Sequence, residues 1–247
     1  MDTKRWSSTV RRGCTALSVM ALAGLSPALA HAEPSGPDVS SWQHVDGRMI
    51  DWHAVRAAGH QFAMVKATEG LHYVNPYFVP DSILMRTAGV ARGTYHFARP
   101  ELPPEPQAAM YAATVLGQNG PLDLPPVLDL ETSGGLAPAD LINWTERYLA
   151  TVRALTGRTA IIYTYPHFWK TAMADTSLFT HHPLWIADYS GNPEPDVPGN
   201  WPTWTFWQTT DRGSVPGIGG ATDVNRFNAT HTDFARFANM SGLFGSS

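Results

Sequence analysis

The 247-residue chain has a single cysteine, Cys14, and little charge, with only 15% of its residues Asp, Glu, Lys or Arg. Its ten histidines form no H-E-x-x-H pairing, and it carries no block of like charge, no low-complexity linker and no internal repeat. Each absence removes something. Without a second cysteine there is no intrachain disulfide, so stability has to come from a packed core. Without clustered His and Cys no metal site is expected, and no cofactor. Without a run of about 18–20 apolar residues, nothing reads as a membrane span or anchor.

The first 32 residues differ in kind from the rest. Lys4, Arg5, Arg11 and Arg12 precede a short apolar run, Ala16 to Leu25, and then the small-residue stretch "SPALAHAE". That is the pattern of a secretory signal peptide, with cleavage after Ala30 or Ala32, so a secreted protein is expected. The Arg11-Arg12 pair hints at twin-arginine export, but the residues after it fit that signal poorly. Removing four basic residues and Asp2 from 17 basic and 21 acidic leaves 13 against 20, a net charge of −7. An acidic balance argues against nucleic acid as a partner. Residues 33–247 hold most of the nine Trp, ten Phe and eight Tyr. They have the size of one sizeable core and read as a single domain.

Apolar runs alternate with helical patterns along that domain. Strands are expected at "GPDVSSW", "FAMVKATEG", "VARGTYHFARP", "PPVLDLE", "TAIIYTY", "PLWIADYS", "WTFWQTT" and "GATDVNRFN". Between them "MIDWHAVRAAGH", "NPYFVPDSILMRTAG", "EPQAAMYAATVLGQNG", "APADLINWTERYLATVRALTG" and "PHFWKTAMAD" have helical spacing. Pro138 suits a first turn and Gly157 a C-cap. After the fifth strand the helices thin out. The order predicts an α/β fold: a modified TIM-type barrel of eight mostly parallel strands with a reduced number of helices. A doubly wound open sheet is the alternative.

Polar residues recur at the strand ends: Asp38, Glu69, Tyr95, His96, Asp129, Glu131, Tyr163, Tyr165, Asp188, Gln208 and Asp223. In a parallel barrel the strand C-termini meet at one rim, where active sites form. Asp129 and Glu131 in "PVLDLE" are i and i+2, so they point to the same side, and Leu130 points to the other. Two crowded, partly dry carboxylates raise one pKa and hold one proton between them. A protonated acid beside an ionised one is what glycosidic cleavage needs. By itself "DLE" is a weak motif.

Seven motifs in order, "DVSSWQ", "KATEG", "GTYHFARP", "PVLDLE", "LWIADY", "WQ" and "TDVNRFN", resemble those of the family 25 glycoside hydrolases, the N-acetylmuramidase lysozymes. The resemblance runs from Gly36 to about Phe237. It implies a single catalytic barrel domain that cleaves the β-1,4 bond after N-acetylmuramic acid in peptidoglycan with retention. Glu131 aligns with the general acid and Asp129 with its catalytic partner, while Asp38 and Asp223 align with two further acids lining the site. Asp129 could attack directly or orient the substrate's own 2-acetamido group. Both routes stay open at this point.

Other candidates are weaker. Tyr95, Tyr163, Tyr165, Tyr189, Glu69 and Gln208 are candidate substrate-binding residues, and Trp42, Trp185 and Trp207 candidate cleft aromatics. His96 reads as a hydrogen-bonded rim histidine rather than a base. Asp188 stands where the resemblance implies an uncharged residue. An acid there would raise the pH preference if it faced the groove. Asn143, Asn228 and Asn239 open N-x-[ST] sequons. The expected partner is the peptidoglycan glycan strand, engaged by the barrel cleft of a monomer. Three alternatives compete: a chitinase-like glycosidase, an inactive carbohydrate-binding barrel and an adhesion protein. The first lacks its D-x-x-D-x-D-x-E run here, the second conflicts with two intact acids, and the third would show repeats or a surface anchor.

Overall fold

The computed structural model describes residues 33–116, 120 and 122–238. The leader-like stretch 1–32, with Cys14, and the sequon at Asn239 lie outside the described residues.

Eight strands close into a barrel. They are β1 (Ser35–Val39), β2 (Phe62–Glu69), β4 (Ala91–Phe97), β5 (Asp123–Asp129), β6 (Ile161–Thr164), β7 (Leu184–Ala187), β8 (Phe206–Gly213) and β9 (Thr222–Phe227). The order around the barrel is β1-β9-β8-β7-β6-β5-β4-β2, and β1 pairs with β2 to close it. A two-residue strand, β3 (Tyr73–Val74), hangs on β2 as a short antiparallel arm. Closure rules out the doubly wound alternative and leaves the eight barrel strands without an open edge.

The barrel is parallel except at β9, which runs antiparallel to both β1 and β8. The link from β8 to β9, residues 214–221, is too short for the crossover that a parallel pair requires. The chain therefore turns at the rim and comes back. Asp223 sits at the start of its strand rather than the end, and this reversal still puts it at the rim where the other strands finish.

Helices cover the outside: α1 (Trp52–Ala57), α2 (Phe78–Ala88), α3 (Pro104–Thr114), α4 (Pro138–Thr156) and α5 (Pro166–Ala172). As expected, α4 opens on Pro138 and stops at Gly157, whose φ of 72° is left-handed. Helix α3 ends at Thr114, short of Gly120. A sixth helix, α6 (His231–Phe237), was not anticipated. Its signal was present: Thr230 caps it by accepting the N–H of Asp233, a T-x-x-D start.

Two apolar layers follow from strand alternation. Val65, Ala67, Leu128, Leu130, Ile162 and Ile186 face out against the helices. Met64, Val127, Ile161, Trp185, Phe206 and Phe227 fill the lumen. Gly93 is needed there, because a Cβ on it would lie 2.0 Å from the sulfur of Met64. At the far end from the rim, Phe234 of α6 packs against Phe62 in a tilted pair and against Phe227 edge to face, with centroids 5.4 and 5.2 Å away. The lumen is thus packed and plugged from below, which leaves the upper mouth as its open end.

Candidate active site

Alternation explains how one apolar run delivers two acids to the mouth. Val127 is in the lumen, Leu128 in the outer layer, and Asp129 is back inside at the end of β5. Leu130 returns to the outer layer, fully buried, while its N–H still bonds to the carbonyl of Tyr163 at 3.0 Å. Glu131 follows on the inner side and lines a rim cavity of about 590 Å³. Asp129 is buried, and its Oδ1 has no hydrogen-bond partner. An orphaned buried carboxylate oxygen is costly.

Across the mouth, Asp38 of β1 and Asp223 of β9 are direct cross-strand partners. Gln208 of β8 ties them together. Its Nε2 donates to Asp38 Oδ2 at 2.7 Å and to Asp223 Oδ2 at 3.3 Å. Its Oε1 accepts from the Tyr163 hydroxyl at 2.8 Å and also from the Tyr189 hydroxyl. Asn225 adds a second donor to Asp38 Oδ2 at 2.9 Å and accepts from Trp185 Nε1 at 2.8 Å. The Gln208 amide has two protons and two lone pairs, and all four are occupied by protein. It holds acids and tyrosines in place and has no capacity left for a sugar.

All four carboxyls are pushed above their ordinary range, and burial is the main cause for each. For Asp129 the negative charge of Glu131 adds to burial. For Asp223, burial and then the charge of Asp38 raise the carboxyl to about 8. The acids thus form two proton-sharing pairs, Asp129 with Glu131 and Asp38 with Asp223. Asp129 is the deeper of the two, while Glu131 is half-buried and borders the cavity.

A cation beside the acids was missed by sequence reasoning. Lys66 of β2 pulls both Asp129 and Glu131 back down. Its ammonium bonds Glu69 Oε2 at 2.5 Å and lies 4.7 Å from the Phe97 ring centroid and 5.5 Å from that of Tyr73. Glu69 also takes Arg99 Nε at 2.8 Å. Burial opposes its ionisation, but Lys66 and Arg99 hold it below the ordinary range. Glu69 therefore anchors Lys66, with both oxygens occupied. Two positions further along β2 than Met64, Lys66 falls on the lumen side, so strand alternation would have found it.

The remaining candidates separate cleanly. Tyr163, Tyr165, Tyr189 and Asp188 line the cavity beside Glu131, with His167 and Lys170. Tyr95 reaches the carbonyl of Val39 at 3.5 Å, and burial drives its hydroxyl upward. Asp188 ties its own loop, accepting the N–H groups of Ser190 and Asp196 at 2.8 Å each. Burial opposes ionisation there, yet these bonds keep Asp188 below the ordinary carboxylate range. His96 is buried between Thr68 and Gln107, and burial lowers it to about 4, so it is a neutral strut. Trp185 and Trp207 are core residues; Trp42 is not. A slightly larger hollow, about 670 Å³, lies beside Phe78 and Ile83 of α2 and has no carboxylate pair in it.

The comparisons agree with this geometry. The family model described as "Glycosyl hydrolases family 25" matches residues 37–218. Lysozyme M1 of Streptomyces globisporus is 37% identical over 213 residues, spanning 83% of this chain and 71% of that protein. The N,O-diacetylmuramidase of Chalaropsis sp is 34% identical over 188 residues, spanning 71% of this chain and 87% of that protein. The crystal structure of the bacterial lysozyme from Streptomyces coelicolor superposes with a TM-score of 0.80 at 34% identity, covering 85% of this chain and 98% of that one. A closed barrel with two acid pairs at its mouth and this set of relatives has one reading: the chain is a glycoside hydrolase of the lysozyme type and belongs to glycosyl hydrolases family 25.

Proposed function

We propose that this protein is a secreted N-acetylmuramidase that hydrolyses the β-1,4 bond between N-acetylmuramic acid and N-acetylglucosamine in peptidoglycan, with net retention. Residues 33–247 act as one catalytic domain, working as a monomer, and 1–32 as a cleaved leader. The observation that carries the reading is the Asp129–Glu131 pair, two coupled carboxyls raised by burial, with Glu131 opening onto the rim cavity.

Glu131 is the general acid. A glycan over the cavity removes water from Glu131 and raises its proton affinity further, so the proton the pair shares rests on Glu131. Glu131 then donates it to the departing glycosidic oxygen as the C1–O bond breaks, and Asp129 is left ionised facing the positive charge that develops at C1. Asp129 Oδ1 has no protein donor. It is free either to attack C1 or to accept the N–H of the substrate's 2-acetamido group while that group's oxygen attacks. In both routes Glu131 next removes a proton from water, which completes hydrolysis on the same face. Asp38 and Asp223, joined by Gln208, set the field on the other side of the mouth. Tyr163, Tyr165, Tyr189 and Tyr95 line the sugar path, and Glu69 acts by holding Lys66.

Digestion of purified peptidoglycan followed by mass spectrometry tests the bond. Fragments with reducing-end N-acetylmuramic acid are expected, and reducing-end N-acetylglucosamine would refute the assignment. Proton NMR of the first product tests retention: the β-anomer should appear before mutarotation.

A further inference from the structure

Eight tryptophans fall among the described residues. Trp52, Trp144, Trp169, Trp185, Trp201, Trp204 and Trp207 are each 6% exposed or less, whereas Trp42 is 86% exposed. A bare indole is unusual, since it is the side chain with the most apolar area to bury.

The backbone beneath it is not loose. Trp42 sits in the short turn Ser41–Gln43 directly after β1, three residues beyond Val39 and four beyond Asp38. The turn carries a full capping box: Ser40 Oγ accepts the Trp42 N–H at 3.3 Å, and Gln43 Oε1 accepts the Ser40 N–H at 2.8 Å. On one side the Tyr73 hydroxyl donates to Ser41 Oγ at 3.0 Å. On the other, His44 is buried, stacked 3.7 Å from Tyr77 and bonded to Asp81 Oδ2 at 2.8 Å. Part-buried bonds within the turn, and the buried His44–Asp81 bond beside it, thus fix a rim turn whose large side chain points to water. Such preorganisation suits a ring-stacking contact, because little ordering remains to be done on binding.

The turn is continuous with the catalytic mouth. Tyr73, which holds Ser41, also faces Lys66, the cation beside Asp129 and Glu131. On the Glu131 side the glycan has the cavity lined by Tyr163, Tyr165 and Tyr189. Beyond Asp38 the strand would run onto Trp42, with Val45 and Met49 exposed next to it. Resting on the muramidase reading, we propose that Trp42 is a distal glycan-binding platform on which a pyranose ring of the same strand, outside the reacting pair, stacks its apolar face.

Kinetics on glycan strands of graded length test this, with Trp42→Ala and Trp42→Phe compared with Leu155→Ala, a change at an exposed leucine on α4. Trp42→Ala should raise KM on long strands roughly three- to tenfold, the scale of one aromatic stacking contact. Its kcat should be retained, the effect should shrink as the strand shortens, and Trp42→Phe should recover much of the loss. Co-sedimentation with insoluble glycan strands in a Glu131→Gln background measures the same contact without hydrolysis, and Trp42→Ala should lower the bound fraction. If wild type cleaves nothing while this binding difference persists, the muramidase reading fails and the platform stands. An equal KM change at every length, a kcat loss, or no difference from Leu155→Ala would overturn the platform. So would a Trp42-dependent dimer in sedimentation velocity, which would make the surface a protein contact.

Discussion

The molecule buries carboxylates in two contrasting ways. Asp81, on α2, accepts Trp52 Nε1 at 3.0 Å on Oδ1 and bonds His44 Nε2 at 2.8 Å on Oδ2. Asp129, on β5, is buried as well, but its Oδ1 has no partner and another acid stands two residues away. Burial raises both. Around Asp81 the protein supplies donors that pull it back; around Asp129 it supplies further negative charge, relieved only by Lys66. The first arrangement holds a loop to a helix. The second gives up stability to keep a proton available, as catalytic sites do. Burial alone therefore does not identify a functional acid; the character of its neighbours does.

Removing the satisfied carboxylate should do the larger damage to the fold. Asp81→Ala leaves His44 Nε2 and Trp52 Nε1 without their partner in a dry site, a loss of about 3–5 kcal/mol. Urea unfolding of wild type and variant measures it. A loss below about 1 kcal/mol would mean water reaches the cluster and the contrast with Asp129 is weaker than drawn.

The chemical counterpart is Glu131→Gln, which keeps the shape and cannot donate a proton. Turnover on peptidoglycan should fall at least ~100-fold, the scale of general acid catalysis, with the unfolding curve unchanged. Asp129→Asn should be comparably damaging to turnover while leaving stability equal or higher, because it removes the repelling charge. A variant of either residue that kept most of its activity would move the chemistry to Asp38 and Asp223.

Much of this was legible in the sequence because strand alternation is a strong rule. It put Asp129 and Glu131 on one side of the strand and Leu130 on the other, and the meeting of parallel strand ends at one rim gathered Asp38 with them; Asp223 reaches the same rim only because β9 runs the other way. The direction of β9 was not read, although the short link after Gly213 implied it. Helix α6 was overlooked because it is short and follows a strand-rich stretch, so its Thr230 cap was the only local signal. Contacts between residues far apart in the chain were beyond reach. Gln208 reads as a sugar ligand in sequence, and only the structure shows its amide saturated by Asp38, Asp223, Tyr163 and Tyr189. The same holds for Glu69, which a motif cannot show to be committed to Lys66 and Arg99.

The Asp38–Asp223 pair predicts a pH-dependent stability. Asp223 is raised by burial and by Asp38 to about 8, against an ordinary value of 3.8. Across that window the folded chain keeps a proton that the unfolded chain releases, so stability falls as pH rises. Below the ordinary value both states are protonated and this destabilisation is absent. Asp223→Asn cannot ionise, so its melting temperature should exceed that of wild type at pH 8 by roughly 2–4 °C per kcal/mol relieved. The two curves should converge near pH 4. A constant offset at every pH would point to altered packing instead of titration.

The smallest effect is expected at Asp188, and it sharpens the comparison most directly. Asp188 lines the same cavity as Glu131, so position alone would enrol it in the acid cluster and let it raise the upper limb of the pH–activity profile. Its surroundings say otherwise. It accepts backbone N–H groups from Ser190 and Asp196, and these bonds hold it below the ordinary range although burial opposes them. It is therefore ionised throughout the working range and shares no proton with Glu131. Wild type should give a bell-shaped profile with its optimum on the acidic side, set by the two coupled pairs. Asp188→Asn should move the upper limb by less than about half a pH unit, since a partly exposed charge is screened. What the substitution should loosen is the 188–196 loop, read as a rise in hydrogen exchange at Ser190 and Asp196. A shift of a full unit with unchanged exchange would place Asp188 among the donor-poor acids, and neighbouring N–H groups would no longer separate the two kinds of buried carboxylate.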